Sequence, residues 1–537
     1  MYFSLIIFIV VLYANFVGHP FMFDPAYSLY PDSLNFYFYN SASATHLYAK
    51  DVFLTYALQA RQQNPIAAYS VVVALYAFLA KYFNMVLILK SVSIAASLGC
   101  CALVHRMGLM VYKRPEAAKL LCALFCVYFL SMDSLYHGQP RTFGILIFCL
   151  FMYSLFAKKF YALPVFIVLA WAFYPPVMPI IGVSCVLVFF SYGSSWSPGL
   201  KRSYVLLFGA FALLAAAVVL STYTSIDLSR YQTYKFSGFL GRATVLPDPI
   251  RFVAYFILNL NEHSELYRYS TLFFLLLAGI FLVRGKPGPV KNMPGEIKII
   301  LFGAAAAFIL VAGFSLPTAG RQFVFTIPFA LTFVIMDNIF VWTDSKLRTA
   351  SYVLLASFVL LHPLYNDIKS FSRYKPVYEY LDRQDPQALI AGHPDSELIY
   401  SVPFFAKRPV VSFEEMAQFP FNQRAMMDIR RRYENSLAFF YADSAVVAEK
   451  FIAEYKPDFI IIENSFYSND MARSYTERGG TLSVPGKRFW PAYALIHCDF
   501  SVRTDDDEIC VIKIKTGLSR ADAVPGRSAR PLQAREH

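Results

Sequence analysis

Eleven apolar runs, each close to the length that crosses a bilayer, constrain this chain more than any other feature. They fall near 2–18, 85–104, 117–132, 142–157, 160–174, 177–192, 203–222, 269–284, 298–316, 322–342 and 349–365. A chain of 537 residues that is 57% hydrophobic and only 16% charged, with mean hydropathy +0.46, has no soluble fold that buries so much apolar surface. The pattern predicts a polytopic α-helical membrane protein.

A twelfth run, 66–83, is long enough to span, but Asn84 alone separates it from the next run and no proper turn fits there. Charge decides its standing. With 66–83 left out and the N-terminus inside, the inner loops carry fourteen Lys and Arg, among them Arg106, Lys113, Arg114, Lys158, Lys159, Lys201, Arg202, Lys346 and Arg348. The short outer loops then carry two, Arg141 and Arg321. Counting 66–83 as a span reverses that bias. Basic residues collect in cytoplasmic loops, so 66–83 is expected to be interfacial or re-entrant, leaving about eleven spans. The same rule accounts for the net charge of +12 without invoking nucleic acid.

This topology puts 19–83, 223–268 and everything after about Asn366 outside. Residues 366–517 read as an extracytoplasmic α/β domain: ALIAG (388–392), PVVSF (409–413) and DFIIIE (458–463) resemble buried strands, and ALIHCDF with EICVIKI a closing hairpin. The Arg-, Pro- and Ala-rich tail, 518–537, has the composition of disorder. Six of the eight cysteines lie in apolar runs. Cys498 and Cys510 flank an acidic turn; a hairpin disulfide and two free thiols are both open. No Asn-x-Ser/Thr acceptor occurs, which points to a bacterial inner membrane and an exported face.

The stretch FDPAYSLYPDSLNFYF (23–38) comes directly after the first span and carries two carboxylates, Asp24 and Asp32, among aromatics. A carboxylate at the bilayer edge is partly desolvated and suited to general-base work, or to holding a divalent metal with a second acid. Equally, Asp24-Pro25 starts a turn and Asp32 caps a helix. Among cations, Lys90 falls inside a span, where it pairs with an outer-loop acid or reaches a lipid phosphate. Gly392-His393-Pro394-Asp395 reads as a strand-to-helix turn capped by Asp395 or Ser396.

The next segments, NPIAAYSVVVALYAFLAKYFN and MVLILKSVSIAASLGCCALVHRMGL, together with the outer loop SMDSLYHGQPRTFG and the late GRQFVFTIPFAL, carry a pattern. A first span leads to an acid-bearing outer loop. A Pro-led apolar helix then precedes a span closed by a basic turn. This resembles the glycosyltransferase C superfamily over roughly residues 1–365. The chain departs from that pattern in having no adjacent acidic pair in the first loop and in carrying Lys90 where Arg is usual.

The resemblance implies transfer of a hexosyl or pentosyl group from a polyprenyl-phosphate donor to a glycan, lipid or protein acceptor on the outer face. Asp24, with Asp32 in reserve, would be the base, and the anomeric centre would invert. Arg321, Arg141, His137 and Lys90 would meet the leaving phosphate. No cofactor is implied beyond a possible divalent metal, and the partners are membrane lipids, the lipid-linked donor and the acceptor. Alternatives are a non-catalytic or polymerase-like envelope polysaccharide protein, and a transporter; the chain shows neither the paired repeats nor the broken spans of transporters.

Overall fold

In the computed structural model, the described residues are 2–16, 28–29, 70–79, 82–83, 85–130, 138, 140–225, 294–313, 321–339, 342–365, 369–413, 423–441, 445–467, 498–504 and 508–514. They are predominantly helical and divide into two compact units, with the break between Ser370 and Phe371.

The first unit is a helical bundle. Its helices are α1 (Tyr2–Phe16), α2 (Ser70–Leu79), α3 (Met85–Tyr112), α4 (Pro115–Leu130), α5 (Pro140–Phe156), α6 (Val165–Phe173), α7 (Met178–Tyr192), α8 (Pro198–Ser225), α9 (Gly295–Gly313), α10 (Arg321–Ile339) and α11 (Asp344–Tyr365). Two short strands, β1 (Ser28–Leu29) and β2 (Lys369–Ser370), pair antiparallel. Ten of the eleven apolar runs overlap helices, and the run 269–284 lies outside the described residues. The expected span 160–174 is broken into a 3₁₀ turn, Phe160–Ala162, and the nine-residue α6, about 14 Å long and too short to cross a bilayer alone. Two described stretches, Val86–Tyr112 and Met178–Ser195, are long and apolar enough to cross a membrane.

Small residues let these helices approach closely. A Cβ on Gly108 would stand 2.9 Å from the Ala118 Cα, which closes the α3–α4 hairpin, and one on Gly303 would meet the Ser184 hydroxyl across the α7–α9 seam. Helix α1 runs antiparallel to α3 and parallel to α11. Phe3, at the start of α1, packs at a tilt against His105 and Tyr352, late in α3 and early in α11. Tyr112, closing α3, donates to Asp337 near the end of α10 (3.0 Å).

Charge collects where α3 ends. Arg114 binds Asp344 (2.6 Å) and the Trp342 carbonyl (2.8 Å). Glu116 takes Lys119 at 2.7 Å and Arg348 at 3.5 Å, and Lys158 pairs with Glu296. The α3–α4, α5–α6 and α10–α11 turns and the start of α9 therefore share one basic end, where the sequence puts its inner loops. Of the run 66–83, residues 70–79 form α2, and 66–69 and 80–81 lie outside the described residues.

The second unit holds α12 (Lys375–Asp382), β3 (Ile390–Ala391), α13 (Glu397–Phe405), α14 (Gln423–Phe440), α15 (Ala445–Tyr455), β4 (Phe459–Glu463), β5 (Phe500–Arg503) and β6 (Glu508–Lys513). The sheet order is β3–β4–β6–β5, with β3 and β4 parallel and the other pairs antiparallel. All five residues of β4 are buried, as its unbroken FIIIE run requires of a central strand. Two strand expectations are refined. PVVSF contributes a single parallel bridge, Val410 to Ile390, because only the backbone around Ile390 faces it. The closing hairpin is real, but its first strand begins at Phe500, and 494–497 lie outside the described residues.

Candidate functional site

The end of the bundle opposite the basic turns holds the starts of α3, α5 and α10 and the ends of α1 and α11. Here α2, α3 and the entry to α5 meet. The Tyr76 hydroxyl donates to the Gly138 carbonyl, and a Cβ placed on Gly138 would stand 2.6 Å from that hydroxyl and 2.8 Å from the Leu89 carbonyl. Gly138 has φ +63°, a backbone state that L side chains disfavour. The contact sets α3 and α5 side by side and parallel, and ten residues on Gly99 still packs against Leu146.

Two predicted cations lie at this junction. Lys90 follows Leu89 in α3 and is only 1% exposed. Arg141 is half-buried in the first turn of α5, three residues past Gly138. Ser93 and Ser97 continue the Lys90 face at helical spacing, and Ser93 is buried. Below them a small cavity is lined by Ser97, Cys100 and Cys101 of α3, Cys126 and Phe129 of α4, and Thr142 of α5. An amine this deep in a helical bundle demands a polar or anionic neighbourhood, and Arg141 with the positive start of α5 adds to the local demand for negative charge.

Arg321 is the first residue of α10, at this same end, about 27 Å along the helix from Ile339 at 1.5 Å per residue. Asp24, Asp32 and His137 lie outside the described residues, as do His46 and Asp51. In sequence β1 falls between Asp24 and Asp32, and its partner β2 lies just past the end of α11. Sequence reasoning missed Tyr76 and Gly138; the Gly-x-Pro of HGQP was the available signal for a tight helix entry. Among the described residues no group of three His, Cys, Asp or Glu could hold a metal ion.

In the second unit the predicted turn folds as a capped helix start. Ser396 is the N-cap of α13: its hydroxyl accepts from the Ile399 N–H (3.2 Å) and donates to the Glu463 carboxylate at the end of β4. That carboxylate brings to the helix start the negative charge that an anionic ligand would otherwise supply. His393 is buried, stacked on Phe466 at 4.1 Å. Its Nδ1 accepts from the Asp395 N–H (3.3 Å), so Nε2 carries the proton toward the Tyr441 hydroxyl (3.0 Å). Burial pushes its pKa down to about 3, which keeps the ring neutral. Asp395 in turn accepts from Tyr433 (2.7 Å). These groups satisfy one another, and the network reads as structural.

Cys498 and Cys510 are bridged, resolving the alternative left by the sequence. The link ties the residue two before β5 to β6, and such a bond persists in an oxidising compartment. In chain isolated without reductant from whole cells, neither thiol is therefore expected to take up a maleimide until a reductant is added; immediate labelling of both would show that the bridge is absent.

No protein-family model and no curated protein matches the chain.

Proposed function

We propose that this chain is an integral membrane glycosyltransferase that moves a sugar from a polyprenyl-phosphate carrier to a glycan, lipid or protein acceptor on the outer face of a bacterial inner membrane. The observation that carries the reading is Lys90: a buried side chain in α3, next in sequence to the Leu89 backbone that Gly138 packs against, at the end of the bundle away from the basic turns. Membrane embedding is supported by large apolar side chains left exposed along the helices, including Phe8, Phe190, Leu206, Phe302, Ile309 and Leu360. By the positive-inside rule the end with Arg114, Lys158 and Arg348 is cytoplasmic, so the Lys90 end faces out. The bridged Cys498 and Cys510 agree with an exported second unit.

On this reading about eleven spans form the bundle. Lys90, Arg141 and Arg321 gather cationic groups for the leaving phosphate, where preorganised charge stabilises the bond as it breaks. His137, next to Gly138 in sequence, joins them. Asp24, or Asp32, takes the acceptor hydroxyl's proton as that oxygen attacks the anomeric carbon from the side opposite the phosphate, which inverts the centre.

Two experiments test this. A reporter active only outside the cytoplasm, fused after Asp367, is expected to give signal; a cytoplasmic location would put Arg321 and the first-loop acids on different faces and end the proposal. In nanodiscs, the full chain is expected to release polyprenyl phosphate from polyprenyl-phosphate hexose or pentose when given a membrane lipid extract as acceptor. Removing a general base costs about 10²–10⁴-fold, so one of Asp24→Asn and Asp32→Asn should lower the rate by that much. Lys90→Gln should weaken donor binding as well as turnover. Full activity in both Asp variants would refute the assignment of the base.

A further inference from the structure

We infer that the surface made by the α5–α6 turn and the start of α8 binds the headgroup of an anionic phospholipid. The inference rests on the membrane reading above and not on the transfer chemistry. Three cations stand on these two adjoining segments: Lys159 in the turn, and Lys201 and Arg202 in the first turn of α8. Lys159 and Arg202 are exposed and Lys201 is half-buried. Among the described residues no carboxylate pairs with any of them; Glu296, the acid at this junction, is taken by Lys158 and by the Tyr192 hydroxyl (3.3 Å).

The frame beneath them is rigid. Phe160, in the short 3₁₀ turn Phe160–Ala162, packs between Tyr192 and Trp196 with ring centroids 5.1 and 5.0 Å away. Trp196 in turn meets Tyr204 edge-on at 4.8 Å, and the Tyr204 hydroxyl donates to the Cys185 carbonyl at 3.0 Å. The turn and α8 are thus held together by aromatic packing, with the cations left on the outside.

The decisive pattern lies one helical turn beyond Lys201 and Arg202. Four positions past Lys201 and Arg202 come Val205 and Leu206, 51% and 63% exposed. Beside the other segment, Tyr161 in the 3₁₀ turn is 60% exposed and Val165, the first residue of α6, is 42% exposed. Four residues along a helix are about 6 Å, so the surface passes from cations to bare hydrocarbon within one turn. A soluble anion would satisfy the cations and leave the apolar strip uncovered. A diacyl lipid with a negative headgroup satisfies both, its phosphate among Lys159, Lys201 and Arg202 and its chains along Val165, Val205 and Leu206.

The test counts lipid retained by the detergent-purified full chain in native mass spectrometry, with phosphatidylglycerol and phosphatidylcholine supplied in equal amounts. Phosphatidylglycerol is expected to be retained, and K159Q/K201Q/R202Q to cut that retention at least fivefold while melting unchanged. K113Q/K298Q/K346Q, which removes the same charge elsewhere on the bundle, should leave retention unaltered. Equal retention of phosphatidylcholine, equal loss in the second triple variant, or full displacement by millimolar glycerol phosphate would overturn the proposal. Release of the chain from membranes by alkaline carbonate would instead refute the membrane reading on which it stands.

Discussion

Gly138→Ala is expected to lower the stability of the bundle by about 3 kcal/mol or more, and Gly138→Val by more still. Three costs combine. At φ +63° a side chain is disfavoured by roughly 1–2 kcal/mol whatever the space around it. A Cβ would stand 2.8 Å from the Leu89 carbonyl and 3.1 Å from its Cα, and this is backbone inside a packed helix that cannot swing aside. The third neighbour, the Tyr76 hydroxyl at 2.6 Å, could move only by giving up its bond to the Gly138 carbonyl, worth about 1 kcal/mol. Tyr76→Phe isolates that last cost and should lose only about 1 kcal/mol. Thermal unfolding of the detergent-solubilised full chain separates the three variants. A Gly138→Ala chain within about 0.5 kcal/mol of the native one, the ordinary range for surface changes, would mean that α2 does not seat against α5. Lys90 and Arg141 flank this contact, so if the chain acts as the proposed transferase, a variant that still folds should also lose donor affinity.

The helical unit was legible because, on the membrane reading, lipid imposes a simple code. Every backbone polar group must be satisfied inside the segment, so long apolar runs become helices, and charge asymmetry orders their ends. The contacts between Arg114 and Asp344, and between Lys158 and Glu296, gather at one end the loops that the charge count had assigned to one side. The candidate site was less legible. Lys90 stood out because an amine in an apolar run is costly. Tyr76 did not: it is one of 37 tyrosines, and only the fold shows that its hydroxyl meets Gly138. In the second unit the all-apolar FIIIE run announced a buried strand, whereas PVVSF overstated its pairing, since its neighbour β3 is two residues long and offers little edge to bind. The cap at Ser396 came from local chemistry; its bond to Glu463, 67 residues away, is a tertiary fact that no local pattern carries.

Arg408 shows how a charged residue holds such a sheet together. It is 3% exposed, and its guanidinium donates to four carbonyls: Ala406 (3.0 Å) and Lys407 (3.2 Å) at the end of α13, and Asp382 (2.7 Å) and Gln384 at the end of α12. Helix C-termini leave carbonyls without partners and carry negative dipole charge, so one planar cation bridging two of them removes both problems at once. The nearby Asp382 carboxylate, 3.9 Å away and mostly exposed, adds little. The next residue, Pro409, accepts from the Ile390 N–H, so the clamp also fixes where the edge of the sheet begins. Arg408→Met should therefore cost about 3 kcal/mol or more, since each buried carbonyl left without a donor costs about 1–3 kcal/mol. Arg408→Lys should recover only part of that, because a single ammonium lacks the fork that reaches both helix ends. Hydrogen exchange of the β3 and β4 amides in the full chain gives the readout: exchange should speed up strongly in the Met variant and to an intermediate degree in the Lys variant. Native protection in Arg408→Lys would mean that charge alone is sufficient, and the geometric clamp between α12 and α13 would have to be given up.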